Sequence, residues 1–347
     1  MFTAQFNLMN LKQLAKELNL SISAVSKALR DSHEISAKTK QAVLAKAKEL
    51  NYQVNPFASS LRKQKSKTIA IVVPEIDNFF FALAMNGIES IAQEKGYHVL
   101  IYLTHEDVNK EISITKLLQN GRVDGVIMSI SSQTNNTDHL QELKDKDIPL
   151  VFFDRVAEHI NSPKINTDDI HSGIMATEHL MDMGCEHIAF LSFSNHLSIS
   201  NKRMLGYLEA FSKKGNKPDN RLVIQCSQDD SANKKLIKKL LSRKNRPDGI
   251  FASVEKLALT AYEVCNDMKM DIPKDIKIIG FSNLPTAALL KPSLSTITQP
   301  AYQMGREAAS ILFKLIEKRS NNIILERTII KSTLIEREST RGNKAMN

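Results

Sequence analysis

Four side chains near the start of the sequence have the types and spacing to contact DNA. They follow Ser21, a residue type that caps helix N-termini, and fall on one side of the helix that would begin there: Ile22, Ser23, Ser26 and Lys27. Hydroxyl and ammonium groups at the N-terminal end of a helix can meet base edges and phosphates in the major groove. The pattern therefore predicts a helix that reads DNA.

Two short amphipathic helices are needed to position these side chains. Residues 10–30 read NLKQLAKELNLSISAVSKALR, and apolar residues recur every three or four positions on both sides of a turn at Asn19. The apolar set is Leu11, Leu14, Ala15 and Leu18 in the first helix and Val25, Ala28 and Leu29 in the second. This pattern is typical of a helix-turn-helix, although an ordinary helical hairpin at the start of a larger domain shows it too.

The distribution of charge distinguishes these two interpretations. Through Ser66 the sequence holds 11 Lys and Arg against four Asp and Glu, a balance of +7. The remaining 281 residues hold 36 against 34, a balance of only +2. Basic charge confined to a helical segment is typical of nucleic-acid binding, whereas charge that serves solubility would be spread along the chain. The distribution favours the helix-turn-helix.

A third helix is predicted over residues 37–50, with Ser36 as its N-cap and Asn51 as a left-handed cap. Its apolar stripe would complete a small three-helix core. Pro56 prevents the helix from continuing, and residues 57–66 are short, polar and basic. Because isolated helices of this length are marginal in water, we expect the segment to be disordered until a partner orders it.

The rest of the sequence alternates β-branched runs with helical patterns. Strands are predicted at residues 69–73, 99–103, 125–128 and 150–153, and in a second series at 188–191, 222–224, 249–252 and 276–279. Helices are predicted at residues 82–94, 170–183 and 301–318, among others. Such alternation indicates parallel sheets. The expected fold is an N-terminal all-α helix-turn-helix headpiece followed by an α/β body of two doubly wound parallel-sheet lobes.

Composition and the N-terminal sequence indicate where in the cell the protein acts. The chain has 347 residues, of which 42% are hydrophobic, enough for large cores. The sequence contains no run of eighteen apolar residues that could span a membrane. Its N-terminus lacks the basic start and apolar stretch of a signal peptide. Its cysteines are odd in number and well separated, at positions Cys185, Cys226 and Cys265. We therefore expect reduced thiols and a cytoplasmic location.

Enzyme and metal signatures are missing from the sequence. No Gly-x-Gly-x-x-Gly follows the first strand, and no phosphate loop, Cys-x-x-Cys or nucleophile elbow occurs. The nine histidines are scattered, which favours solvated or core histidines over a metal site. Asp168 and Asp169 precede a predicted helix, and we interpret them as caps that interact with the positive end of its dipole. We expect no catalysis, no cofactor and no metal.

The run LSISAVSKALRDSHEISAKTKQAVLAKAKELNYQVNPFASSL resembles the headpiece of the LacI/GalR family of bacterial transcription regulators. The likeness includes Ser-Ala-Lys-Thr at the start of the third helix, Leu-Asn-Tyr at its end and Asn-Pro-x-Ala beyond it. It implies that Ile22, Ser23 and Lys27 read bases. It also implies a hinge helix in the minor groove, with Leu61 as an apolar wedge that opens a base step. The predicted DNA contacts are Asn10, Ser21, Ile22, Ser23, Ser26, Lys27, Asn55, Ala58, Leu61 and Arg62.

The resemblance also implies a body like the periplasmic binding proteins, with two lobes around a cleft. The chain would cross between lobes near Ile165, again near residues 293–298 and a third time near residues 323–327. The expected divisions are a headpiece at 1–54, ordered over about 10–52, a hinge at 55–66, a first lobe at 67–165 and 298–325, a second lobe at 166–297 and 326–340, and a tail at 341–347.

Candidate effector ligands lie at strand ends, where doubly wound sheets bind small molecules. Phe80 and Phe81 could stack on a sugar ring or base, or else pack in the core. Asp154 begins an Asp-Arg pair that resembles the family's, or forms a surface ion pair. Arg203 matches an Arg-x-x-Gly-Tyr pattern whose arginine offers its planar fork to hydroxyls or carboxylates. The predicted effector residues are Phe80, Phe81, Asp154, Arg203, Glu255 and Ser282.

Two positions depart from the family's pattern. Val254-Glu255 stands where Asn-Asp is common, and Ser282 stands where an aspartate often accepts hydrogen bonds from sugar hydroxyls. Two effector classes stay open as a result. One is an acidic or phosphorylated sugar, which supplies its own acceptors. The other is a neutral sugar whose hydroxyls are met by Asp154 and Glu255 instead.

Together these patterns predict a homodimeric, sequence-specific transcription regulator. It would act as a repressor on a near-palindromic DNA operator, under the control of a small-molecule effector related to sugars, and without membrane association. A regulator of the same fold with a protein co-effector is an alternative. The missing signal peptide and the basic headpiece argue against a periplasmic solute-binding protein, and an enzyme on the same body lacks its catalytic residues.

Overall fold

The computed structural model describes residues 10–52, 66–194, 196–317 and 327–341. It divides the chain into two compact units between Lys65 and Ser66. Within the described ranges, no helix is long and apolar enough to cross a bilayer. Four predicted DNA contacts lie outside the described residues and stay predictions: Asn55, Ala58, Leu61 and Arg62.

In the first unit, the described residues 10–52 form three helices, α1 (Leu11–Glu17), α2 (Ile22–Leu29) and α3 (Ala37–Glu49). Each helix begins after a residue whose side-chain oxygen accepts a hydrogen bond from the backbone N–H three residues later, at 2.9 Å for Asn10, 3.1 Å for Ser21 and 3.2 Å for Ser36. Asn51 follows α3 with a φ of 47°, which confirms the left-handed cap. The core consists of Leu14, Ala15, Val25, Ala28, Val43 and Ala47.

The second unit is an α/β body with two six-stranded sheets. Its strands are β1 (Thr68–Val73), β2 (His98–Leu103), β3 (Gly125–Met128), β4 (Leu150–Phe153), β5 (Lys164–Thr167), β6 (Ile188–Ser192), β7 (Val223–Gln225), β8 (Gly249–Ala252), β9 (Lys277–Phe281), β10 (Ser295–Thr298), β11 (Arg327–Ile330) and β12 (Thr333–Ile335). The first sheet has the order β11-β5-β4-β3-β1-β2 and is parallel throughout. The second has the order β12-β10-β9-β8-β6-β7, in which only β12 is antiparallel to its neighbour.

Helices cover the faces of both sheets. They are α4 (Phe79–Glu94), α5 (Val108–Leu118), α6 (Asp138–Asp145), α7 (Asp169–Asp182), α8 (Ser198–Lys213), α9 (Asp230–Leu241), α10 (Glu255–Asp267) and α11 (Ala301–Ile316). α4 and α11 pack together in the first lobe, and α7 and α8 pack together in the second. Short 3-10 turns lie at Asn220–Leu222 and Pro285–Leu289. The two-lobed, doubly wound body predicted from the sequence is confirmed.

The lobe crossings differ in detail from the prediction. β5 extends the first sheet to Thr167, two residues beyond the expected crossing at Ile165. β11 pairs with β5 from Arg327 opposite Lys164 to Ile330 opposite Thr167, so these residues belong to the first lobe rather than the second. The third crossing therefore follows Ile330 instead of lying near residues 323–327. A strand whose partner is more than 150 residues away leaves no local pattern to mark it.

Candidate functional sites in the headpiece and the cleft

The exposed face of α2 carries the side chains predicted to contact DNA. Ile22 is 47% exposed although it is apolar, and Ser23 beside it is exposed as well. Val25 and Ala28 face the core instead. Because Ser21 Oγ already accepts the N–H of Ala24 at 3.1 Å, its structural role is to cap α2. Asn10 has the same role for α1, in a capping box with Gln13.

Two further side chains hold the polar groups of this face in place. Lys27 Nζ forms an ion pair with Glu34, in the loop that follows α2. Arg30 Nη2 donates to Ser26 Oγ at 2.7 Å, and Arg30 Nε donates to the Ser26 backbone oxygen at 2.9 Å. The sequence analysis missed both Glu34 and Arg30. The i,i+4 spacing of Ser26 and Arg30 was a visible signal, because such residues are neighbours on a helix surface.

In the body, all six predicted effector residues line one small pocket between the lobes: Phe80, Phe81, Asp154, Arg203, Glu255 and Ser282. Several come from strand ends, since Asp154 follows β4 and Ser282 follows β9. Phe80 and Phe81 lie in the first turn of α4, which Asn78 caps by accepting the N–H of Phe80 at 2.9 Å. The pocket volume is about 30 Å³, which is room for about one water molecule.

The two phenylalanines belong to the core as well as to the pocket. Both are at most 5% exposed, and their rings lie 6.4 and 6.1 Å from that of Phe153. The packing alternative is therefore favoured for most of their surface. Asp154 and Arg155, by contrast, are no surface ion pair, because both are buried to 95% or more. The surface alternative for that pair is wrong.

Arg203 is a buried cation of the cleft with several partners. It is 2% exposed, and its Nε donates to Asp169 Oδ1 at 2.8 Å while its Nη1 donates to the Ser253 backbone oxygen at 2.7 Å. Its guanidinium lies 3.6 Å from the ring centre of Phe281. Within the described ranges, neither Arg203 Nη2 nor Asp169 Oδ2 has a hydrogen-bond partner. The pair thus keeps one buried donor and one buried acceptor unused.

The interpretation of Asp168 and Asp169 as helix caps is confirmed only in part. Asp168 is the N-cap residue of α7 and accepts a hydrogen bond from Ser172 Oγ in the first turn at 3.1 Å, but neither aspartate accepts a backbone N–H there. Asp169 instead turns inward to Arg203, and burial raises the pKa of its carboxyl although the charge of Arg203 opposes the shift. Asp168 accepts the backbone N–H of Ser332 at 2.8 Å, just before β12. Each aspartate thus has a long-range partner, and Asp168 keeps a local one as well.

A carboxylate lies beside Ser282, where the family's cleft aspartate is missing. Ser282 Oγ donates to the Glu255 carboxylate, which belongs to the first turn of α10. On the opposite lobe, Asp154 Oδ1 accepts from Gln299 Nε2 at 3.3 Å, and the same amide donates to Thr167 Oγ1 at 3.2 Å. Sequence reasoning missed Gln299, which follows β10 with no motif around it.

A larger cavity of about 360 Å³ adjoins the small pocket. Arg155 lines both and donates to Glu106 Oε1 at 2.6 Å, in an ion pair that is nearly fully buried. Glu75 and Asp77 also line the cavity, and burial raises the pKa of Glu75. The charge of Lys256 on its far wall is already paired with Asp230 at 2.8 Å. This cavity is therefore richer in acidic than in free basic groups.

Direct contacts join the two lobes across the cleft. Gln228 Nε2 donates to Ser132 Oγ at 2.8 Å, and Lys202 Nζ lies 3.1 Å from Glu158 Oε1. Ser132 is itself held by Glu106, which accepts its backbone N–H at 2.7 Å. These contacts close the cleft around the small pocket.

Comparison with known proteins finds family matches in two parts of the chain. Residues 10–55 match the family model described as bacterial regulatory proteins, lacI family, and residues 177–340 match the periplasmic binding protein-like domain. The ribose operon repressor of Halalkalibacterium halodurans is 32% identical over 334 residues, which cover 96% of this chain and 98% of that protein. The chain belongs to the LacI family. As a member it is a DNA-binding regulator of transcription and not an enzyme.

Solved structures of LacI-family proteins share the fold. The lac repressor dimer bound to operator and the anti-inducer ONPF matches with a TM-score of 0.82 at 19% identity, over 96% of this chain and 99% of that one. A LacI-family regulator from Enterococcus faecium with bound ribose matches with a TM-score of 0.68 at 26% identity, over 78% of this chain and 98% of that one. The fold class predicted from the sequence is confirmed by these structures.

Proposed function

We propose that this LacI-family protein is a dimeric, cytoplasmic repressor that binds a near-palindromic operator and responds to a neutral, hydroxyl-rich effector in the interlobe cleft. The observation that carries the effector proposal is the unused hydrogen-bonding capacity at Arg203. Its buried Nη2 has no partner in the described chain, and the side chain lines the pocket that all six predicted residues share. A ligand oxygen there would satisfy the donor.

The carboxylates of the cleft favour a neutral effector over an acidic one. Asp154 and Glu255 both line the pocket, and each offers an acceptor for a ligand hydroxyl. The two arginines of this pocket, Arg155 and Arg203, are already paired with Glu106 and Asp169. A phosphorylated or acidic sugar would add negative charge to this balance, which is costly in a buried site. The ribose repressor and the ribose-bound regulator among the relatives agree with a neutral sugar.

The size of the small pocket indicates how the effector would control the protein. A volume of about 30 Å³ excludes a sugar while the lobes are closed. We infer that the effector binds a form in which two contacts that join the lobes, Gln228–Ser132 and Lys202–Glu158, are rearranged and the small pocket opens into the adjoining cavity. A ligand that binds one arrangement better than the other shifts the equilibrium between them.

Dimerisation follows from the recognition mode. One helix-turn-helix reads a half-site, and two-fold proteins bind two-fold operators. The edge strand β2 offers a surface for a second copy, because Leu100 and Ile101 are 40% and 52% exposed there. Edge strands with exposed apolar residues are normally covered.

In vitro selection from random duplexes with the full-length protein tests the operator proposal, and titration of ligands onto the selected duplex tests the effector proposal. We expect a near-palindromic motif whose affinity changes with a neutral sugar such as ribose and not with its phosphorylated or acidic forms. Arg203→Lys should abolish the response and leave DNA affinity without sugar intact. An asymmetric motif would refute the proposed dimer, and a response only to acidic forms would refute the proposal of a neutral effector.

A further inference from the structure

The body carries a second strongly basic region that the overall charge balance conceals. Residues 213–246 contain 11 Lys and Arg against three Asp, a balance of +8 in a chain whose net charge is +9. Since residues 67–347 together balance at +2, the rest of the body is acidic, at 25 against 31. The positive charge of the body is therefore concentrated in one stretch of the second lobe.

Helix α9 presents much of this charge on its solvent face. Its buried stripe is Asn233, Ile237, Leu240 and Leu241. On the opposite side, at i, i+3 and i+4 spacing, lie the exposed side chains of Lys235, Lys238 and Lys239. None of these three has an ion-pair partner in the described ranges, unlike Lys234, which pairs with Glu263 at 2.6 Å. Arg243 and Lys244 extend the face beyond the end of the helix, and both are exposed.

The like charges of these lysines lower the stability of α9. Like charges at i,i+3 and i,i+4 destabilise a helix by about 0.2–0.5 kcal/mol per pair. The helix dipole favours Lys238 and Lys239 in the last turn, but Lys235 lies in the middle of α9 and gains nothing from it. After Asp230 the helix contains no acidic residue to offset the repulsion. We name the surface formed by Lys235, Lys238, Lys239, Arg243 and Lys244 the basic face.

We propose that the basic face binds the backbone of a second DNA duplex, separately from the headpiece. Duplex DNA is the polyanion that a DNA-binding regulator meets. Lys235 and Lys239 are about 6 Å apart along the helix axis, and phosphates of one strand repeat about every 3.4 Å along the duplex, so each lysine can face its own phosphate. Lysine contacts phosphates as a point charge and carries no sequence information. The contact is therefore independent of sequence and allows one protein to hold two duplexes.

The test uses the full-length protein bound to an immobilised duplex of its selected sequence, followed by capture of a second, fluorescent random-sequence duplex. The basic-face variant carries Lys235→Gln, Lys238→Gln and Lys239→Gln. The matched control carries Lys110→Gln, Lys116→Gln and Lys146→Gln, three exposed lysines of the first lobe that lose the same charge. Both should retain the wild-type affinity for the first duplex, and the basic-face variant should be at least as stable as the wild type because it relieves like-charge repulsion.

We expect the basic-face variant to capture about tenfold less of the second duplex. The slope of the logarithm of its affinity against the logarithm of salt concentration should be shallower by up to about 2.7, because three phosphate contacts are lost. The control should capture as much as the wild type. Absence of capture by the wild type, or an equal loss in the control, would overturn the proposal. So would displacement of the second duplex by polyglutamate at equal charge, because that result would assign the surface to acidic proteins.

Discussion

At the scale of single residues, the Arg203–Asp169 pair dominates the cleft. Each side chain is at least 98% buried, so both charges have lost their hydration. Such a pair adds little net stability, because its attraction repays little more than the desolvation of both groups, but removing one partner strands the other charge. The two atoms that remain without partners point to a role in binding rather than in folding alone.

Replacing Asp169 with Asn should therefore lower the free energy of unfolding by about 3–5 kcal/mol, since it leaves the Arg203 guanidinium buried without a counter-charge. Denaturant titration monitored by circular dichroism measures the loss. Asp182→Asn is the control, because Asp182 pairs with Lys214 at 3.3 Å on the surface, where such pairs contribute about 1 kcal/mol or less. Equal effects in the two variants would show that Arg203 does not depend on Asp169.

Lys27 is the cation of α2 whose position best suits base recognition. Lys27→Ala should weaken binding to the selected operator by about 1–3 kcal/mol and relax its specificity, since the ion pair with Glu34 holds the ammonium beside the helix face. Fluorescence anisotropy on the selected and a random duplex gives both affinities. Lys46→Ala, which breaks a similar pair with Glu49 on α3, should change the affinity for neither duplex. A uniform loss across sequences would assign Lys27 to phosphate contact.

The three cysteines are buried thiols. Burial raises the pKa of Cys185 and Cys226 to about 12 and that of Cys265 to about 11. Because the thiolate is the reactive form, a raised pKa lowers its fraction near pH 8 well below that of an ordinary cysteine. We expect iodoacetamide to leave all three unmodified in the folded protein and to label them in denaturant, as read by mass spectrometry. Rapid labelling without denaturant would contradict this burial.

At the scale of elements, close helix crossings set the geometry of each lobe. Gly305 in α11 lies against α4 so closely that a Cβ there would stand 2.0 Å from the backbone oxygen of Ala84. Gly173 and Gly206 make a similar crossing between α7 and α8, the helix that carries Arg203. Backbone atoms cannot move aside as flexible side chains do, so only glycine fits these positions.

Gly305→Ala should destabilise the protein by about 1–3 kcal/mol through this overlap. The same substitution in an open helix would be favourable by about 0.5–1 kcal/mol, so the sign of the effect is diagnostic. The measurement is again denaturant unfolding. Asn86→Ala, at an exposed position of α4, should stay within about 0.5 kcal/mol of the wild type. A stabilising Gly305→Ala would show that the two helices can separate at little cost.

Local pattern predicted some elements and missed others for a physical reason. β3, β4 and β8 match the predicted residues, because short runs of apolar side chains buried on both faces are visible in the sequence itself. β5 and β10 are short and partly polar, so they lack the continuous apolar run that marks a buried strand. α4 begins at Phe79 rather than Ala82, because the Asn78 cap allows an aromatic first turn.

The residues of the cleft, too, could be predicted only in part from local sequence pattern. The six predicted effector residues came from strand-end positions and from comparison with the family's pattern, and they line one pocket, but their roles stay predictions. Glu106 and Gln299 hold that pocket together from positions 49 and 145 residues away from their partners Arg155 and Asp154. No spacing rule connects residues at such separations, and only the folded sheet brings them together.

At the scale of the whole molecule, the proposed dimer would form through an edge of the first sheet. The order β11-β5-β4-β3-β1-β2 leaves β2 and β11 at the edges. Every residue of β2 is at least partly exposed, including the apolar run from Val99 to Leu103. An apolar edge without bulges or charges invites pairing with another chain. β11 also exposes an apolar residue, Ile329, at 59%.

Ile101→Lys should convert the dimer to a monomer, because a charge placed in an apolar interface cannot be paired there. Light scattering at several concentrations gives the mass, and anisotropy on the selected duplex gives the functional result. Affinity should fall by about 10²-fold or more, since two half-sites are no longer bound by linked headpieces. Ile329→Lys places the same charge on the opposite edge and should remain dimeric. If Ile329→Lys dissociates the dimer and Ile101→Lys does not, then β11 rather than β2 forms the interface. A wild-type protein that binds its operator as a stable monomer would refute dimerisation itself.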